Sequence, residues 1–439
     1  MAARTAPAKA TGRPLWLFAL FAVYGPSLNF LGEFRYVEIV VLLLFLLNIG
    51  RGFKWIGPLE RRLAALFLLA AFSHIISDLL NSAAVEETIK RAGTYVILAV
   101  IVLALGWLSR GHPVRIQWMV LGYCASYVFI LFAGQTYSAA YEDDPFRLGL
   151  GTAMTIALCV LIQMFPRYER YAGPALLAMA VLHAVLLARS TAAVTVLAGI
   201  LAFSASLRRT RAPQRFRPDV LILVTIVFAL LTSTVYFGAK MATEAKLFPE
   251  ELQARMELQF ANPYGLMAAG RPDVFAGAYA AWKRPLLGYG TTNVDPEVFA
   301  FFTEVAASTY IWSTEYTETI DALWLKQEGR GTPSHSHLFG AWADAGVFAA
   351  LCWLVVLSLC GYVATRVMLW RDPRAPLFLF IALTTAWDIL FSPGMHRMDI
   401  AIRMMILVYA TRLLKAWDVK PISVKRGAGS GNEWAHRFR

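Results

Sequence analysis

The chain has 439 residues, 58% of them hydrophobic and 16% charged, with a formal net charge of +12. Soluble domains carry about 45–50% apolar and about 25% charged residues, so this composition excludes a water-soluble domain as the principal reading. The positive surplus, which in a soluble protein would suggest nucleic acid, gathers in short loops between apolar blocks, where the positive-inside rule puts it, so no nucleic-acid partner is expected.

The apolar blocks have about the 20-residue length that a helix needs to cross a bilayer. Residues 1–14 carry Arg4, Lys9 and Arg13 before the first block. No small-residue cleavage site follows and further spans come at once, so the segment reads as a cytoplasmic tail. Nine spans are predicted within 15–239, near 15–31, 36–50, 63–82, 94–109, 116–135, 148–166, 173–188, 192–207 and 219–239. Three more fall within 337–414, near 337–362, 375–393 and 400–414, before a cytoplasmic tail at 415–439. The expected fold class is therefore all-α, a polytopic membrane protein of about twelve transmembrane helices with both termini on one side.

The loop charges agree with a cytoplasmic N-terminus. Arg51, Lys54, Arg61 and Arg62, then Arg110 and Arg115, Arg167 and Arg170, a cluster from Arg208 to Arg217, and Arg366, Arg371 and Arg374 all fall inside. The outer turns are poorer in Lys and Arg, and one carries Glu142–Asp143–Asp144. Lys90 and Arg91 are an outer exception, offset by Glu86 and Glu87. Cys124, Cys159, Cys352 and Cys360 lie inside apolar runs and read as small buried residues.

The largest interruption, 240–336, is an outer loop, too long to be structureless without a function. It reads as helices at Glu250–Phe260, Arg271–Trp282, Pro296–Ala307 and Thr314–Gln327, with Pro272 at a favoured first-turn position. Phe299, Phe301, Phe302, Tyr310, Trp312, Tyr316 and Trp324 suggest a lid at the membrane interface, where aromatic belts sit.

Ser334-His335-Ser336-His337 stands where this loop re-enters the membrane. A neutral imidazole there can take a proton from a hydroxyl, and the helix N-terminus beside it suits phosphate. A capped helix start with an interfacial His explains the same residues without chemistry. His335 and His337 are both candidates for the base. Arg189, in a tight turn between two apolar helices, and Arg271, at the start of a loop helix where the dipole does not favour a cation, could together clamp a diphosphate. Snorkelling explains Arg189 equally well. Lys283, Arg284 and Arg397 are secondary candidates. Asp388, near the outer end of span eleven, is an intramembrane acid that could orient a His, pair with an Arg or pair with the turn Met395-His396-Arg397-Met398-Asp399. Asp78, His74, His183 and Asp344 read as helix–helix hydrogen bonds. There is no P-loop, no His-Glu-x-x-His and no metal-spaced carboxylate pair, so neither a cofactor nor a metal is expected.

These residues resemble the bacterial O-antigen ligase and polymerase-like superfamily. His335-Ser336, nine residues and Gly346 resemble its loop-end motif, although Ala349 fits the following position imperfectly. Gly270-Arg271, Trp282 and Pro285-Leu286-Leu287-Gly288-Tyr289-Gly290 resemble its Arg-bearing helix and glycine turn. Arg189 and Asp388 resemble its second arginine and late acid by position. The likeness covers spans seven to eleven, and the first six match by topology alone. It implies a metal-independent, C-type glycosyltransferase architecture in the bacterial inner membrane, with the site facing the periplasm. The implied activity is an inverting transfer of glycan from undecaprenyl diphosphate to a lipid A–core hydroxyl. The expected partners are that donor, that acceptor and membrane lipids, with a monomer expected and a dimer left open. An O-antigen repeat-unit polymerase and a protein O-oligosaccharyltransferase share the motif. A lipid-linked glycan transporter would instead show a broken helix pair with a midplane charge pathway. A structural scaffold would tolerate Ala at His335, Arg189 and Arg271.

Overall fold

The computed structural model describes residues 14–23, 27–29, 33–133, 145–186, 188–207, 233, 236–248, 250–307, 331–332, 334–368, 370–392 and 396–419. The expected span 219–239, the loop helix Thr314–Gln327 with Tyr310, Trp312, Tyr316 and Trp324, the turn Glu142–Asp144 and most of both tails lie outside them.

The described chain is almost entirely helical. Its helices are α1 Leu15–Ala22, α2 Tyr36–Leu47, α3 Pro58–Leu80, α4 Val85–Ser109, α5 Pro113–Ala133, α6 Gly151–Met164, α7 Ala172–Val185 and α8 Arg189–Ser206. After these come α9 Glu250–Ala261, α10 Gly265–Gly270, α11 Pro272–Lys283, α12 Pro296–Ala307, α13 His337–Ala345, α14 Val347–Val367, α15 Ala375–Phe391 and α16 Arg397–Val419. Among the described residues α3, α4 and α14 are long and apolar enough to cross a membrane by themselves, and Tyr36–Leu47, Gly151–Met164, Ser190–Ser206 and Ala375–Phe391 are shorter apolar helices.

Helix α3 shows what solvent the bundle is built for. Leu68, Phe72, Ile75 and Leu79, spaced four, three and four apart, form an exposed apolar stripe, with Phe72 59% and Leu79 72% accessible. Its opposite face buries Phe67, Ala71, His74, Ser77 and Asp78. A contiguous apolar outside around a more polar inside fits contact with lipid rather than water.

Three expectations change. The span placed at 15–31 is helical only to Ala22, and antiparallel strands β1 (Ser27–Asn29) and β2 (Glu33–Arg35) follow, pairing Leu28 with Phe34. Pro26, which lacks an N–H, is a sequence-level reason for the helix to stop. The all-α class therefore holds apart from one small hairpin-like pair. The span placed at 337–362 is two helices, α13 and α14, separated by Gly346 at φ +78°. The aromatic lid is partly a core: Phe302 packs with Val298, Ala306, Ala276, Ala280, Tyr289 and Ala343, joining α11, α12 and α13.

The helices α3 and α4 pack as a central pair with α14 and α16 against them, α1 lies on α5, and α7 and α8 pair beside α15. Ion pairs mark one end. Arg412 meets Glu60, Arg366 meets Asp418 at 2.8 Å and Arg371 meets Glu169 at 3.6 Å. These tie the start of α3, the ends of α14 and α16 and the approach to α7 into one basic end. The loop helices α11 and α12 and the short α13 sit at the other.

Candidate functional site

The loop end is built around a clamp. The turn Pro285–Gly290 closes on the C-terminal half of α13. Tyr289 N–H donates to Ala343 O, Gly290 N–H to Asp344 O and the Trp342 indole to Pro285 O, each at 2.8 Å, and Val347 N–H donates to Pro285 O at 2.9 Å. Gly288 and Gly346 both adopt positive φ, and a Cβ on either would press on the partner segment's carbonyl, that of Ala343 or of Leu286. Glycine is what such a close approach in the left-handed region requires. Helix α3 fastens the arrangement: Ser73 Oγ donates to Ala345 O at 2.7 Å, and Asp78 accepts from Thr291 N–H and, at 2.8 Å, from its hydroxyl.

The clamp fixes α11 beside the start of α13. Arg271 caps α11 with non-helical backbone, Pro272 takes the first helical position and Asp273 follows in the first turn. Ser336 caps α13: its Oγ accepts from Phe339 N–H at 3.1 Å and donates to Ile389 O of α15 at 2.9 Å. The capped-start reading is thus true of Ser336, and it leaves His335 just outside the helix. There His335 Nδ1 contacts the Asp273 carboxylate, with the imidazole half exposed and Asp273 15% accessible. Partial burial, and then the nearby Arg271 charge, push the His335 pKa below the usual imidazole range. The ring is therefore neutral at pH 7, with Nε2 the atom left to accept a proton.

Arg271 also lies close enough for its charge to act on Asp388. Asp388 itself is ion-paired with Arg403 of α16. The polar chain continues inward: Arg403 feels Asp399, which accepts from Tyr127 at 3.1 Å, and Tyr127 meets Tyr123 at 2.7 Å. Of the three roles expected for Asp388 the geometry shows pairing with an arginine; the carboxylate on His335 is Asp273.

The other candidates separate. The His337 ring stacks on Trp353 of α14 at 4.7 Å, its Nε2 buried without a hydrogen-bond partner, away from Asp273 on α11. Lys283 is held by Glu297, with Asp295 at 3.8 Å. Arg284 lies over the Tyr289 ring at 4.5 Å and donates to Asn81. Arg397 pairs with buried Glu38 at 3.0 Å. Arg189 opens α8, and its side chain lies outside the described residues. The far end of α8, Ala202 to Ser206, meets the start of α15 at Ala375 and Pro376. A helix of this length reaches about 27 Å, which carries the Arg189 backbone toward the end where Asp388 lies.

Asp273 and Arg403 were not singled out from sequence. An acid in a helix's first turn looks like a dipole complement, so nothing marks Asp273. Arg403 did carry a signal, a cation within an apolar span. Among the described residues no three His, Cys, Asp or Glu groups are placed to hold a metal ion. Compared with protein-family models, curated proteins and solved structures, the chain matches none.

Proposed function

We propose that the chain is an O-antigen ligase-like glycosyltransferase of the bacterial inner membrane, with about twelve spans in a C-type architecture and its loop end toward the periplasm. It moves a glycan from undecaprenyl diphosphate to a sugar hydroxyl of lipid A–core. The observation that carries the reading is the meeting of His335, Asp273 and Arg271 where the loop joins the apolar bundle. In this scheme His335 Nε2 takes the acceptor hydroxyl's proton as that oxygen attacks the anomeric carbon. The carbon–oxygen bond to the diphosphate breaks, and its electron pair leaves with undecaprenyl diphosphate, so the anomeric centre inverts. Arg271, with Arg189, offsets the charge on the leaving diphosphate, the kind of preorganised electrostatic help that often dominates catalysis.

The helix break at Gly346 is the feature a transporter reading would claim. It lies beside the loop end, and α14 beyond it has 21 residues, enough to cross without α13.

The test is transfer by purified protein from undecaprenyl-diphosphate-linked glycan to lipid A–core, with EDTA present. Wild type should transfer, and His335→Ala should lose about 100-fold or more, the usual contribution of a general base. His337→Ala should keep most activity. Full activity in a folded His335→Ala protein overturns the assignment, and glycan polymerised on its lipid carrier without use of lipid A–core would make the chain a polymerase.

A further inference from the structure

We infer that Asp273 is the positioning residue for His335, so that one turn of the loop helix α11 supplies both the phosphate-facing Arg271 and the group that aims the base. The inference rests on the reading of His335 as the base. Its observation is the contact between the Asp273 carboxylate and His335 Nδ1, with the carboxylate mostly shielded from solvent. A carboxylate there holds the proton on Nδ1 and leaves the Nε2 lone pair for the acceptor, and it fixes the ring plane. When the acceptor hydroxyl's proton moves to Nε2, Asp273 stays ionised and offsets the imidazolium. Partial burial of the ring and then the charge of Arg271, two residues earlier, pull the other way and keep the resting ring neutral.

The arrangement depends on where α11 is seated. His335 lies on the approach to α13, and α11 docks on α13 through Ala276, Ala280 and Ala343 and through the Pro285–Gly290 turn. Base orientation and Arg271 therefore arrive together when the loop is docked. A bland first-turn acid would complement the helix dipole without needing a partner, and the experiment separates the two roles.

Full-length wild type, D273N, D273E and H335A would be compared for kcat, KM and pH profile, and the His335 tautomer read by nitrogen-15 histidine NMR. Activity that needs neutral His335 is present above its pKa and lost as pH falls through it. Removing the carboxylate takes away a stabiliser of imidazolium, so the acid limb of D273N should move to lower pH. Its kcat should fall about 10- to 100-fold, a fraction of what a general base contributes, with KM little changed and D273E recovering part. The tautomer should be Nδ1–H in wild type and lose that preference in D273N. Wild-type kcat, pH limb and tautomer in D273N, with H335A inactive, overturn the inference and leave the function standing. Full activity in H335A overturns both. If D273N is inactive because it misfolds, the wild-type tautomer still decides: Nε2–H overturns the inference.

Discussion

A charge placed inside an apolar bundle must find its opposite, because an unpaired buried ion costs several kcal/mol. At the loop end Asp388 finds Arg403, Glu38 finds Arg397, and Asp344 finds Arg91 at 3.5 Å. In each pair the partners come from different helices. That is why Asp388 and Arg403, 15 residues on in the next helix, each read as a charge within an apolar span while nothing in the sequence pairs them. The pair supports a stability prediction. Asp388→Ala leaves the buried Arg403 charge without its ion-pair partner, with only the more distant Asp399 to offset it, and should cost about 3–5 kcal/mol, read as a lower melting temperature in detergent. Adding Arg403→Met should recover most of the loss, and a double variant no more stable than Asp388→Ala would show that the pair is not the cause.

The element that matters most is the short helix α13 with its two glycine-dependent contacts. The spacing from His335-Ser336 to Gly346 is visible in the sequence, but its purpose is not. Gly346 ends α13, starts α14 and lets the Leu286 carbonyl approach its Cα, which a stretch from Leu338 onward that is apolar apart from Asp344 conceals. Gly346→Ala combines a left-handed backbone with a collision, so it should cost at least about 2 kcal/mol and speed proteolysis of the loop. Gly361→Ala, in the middle of α14 with open space where its Cβ would point, should be neutral or slightly stabilising. Equal effects from the two substitutions would refute the clamp. The aromatic residues of α12 make a related point. Aromatics suit a membrane interface and a small helical core equally well, and only the docking of α12 on α11 assigns Phe302 to the core.

On the scale of the molecule, the bundle separates a basic end from the end that carries the loop and the site. Because all four cysteines are buried, introduced thiols would report on this without background. Trp282→Cys, at a position 75% exposed on the loop side, should react with an impermeant maleimide in intact spheroplasts. Leu207→Cys, at a position 72% exposed at the end of α8, should react only after permeabilisation. The reverse pattern would put the site in the cytoplasm and remove the proposed donor and acceptor. The sequence by itself determined that the chain is largely helical and apolar enough for lipid, that its basic loops alternate with poorer ones, and that His335, Arg271 and Asp388 are candidate site residues. Those properties follow from composition, periodicity and local charge, which need no long-range contact. Only the tertiary structure decided that Asp273 faces His335, that Arg403 answers Asp388 and that His337 stacks on Trp353. Each depends on how separate helices pack, and side-chain partners across helices leave no spacing in the sequence to read.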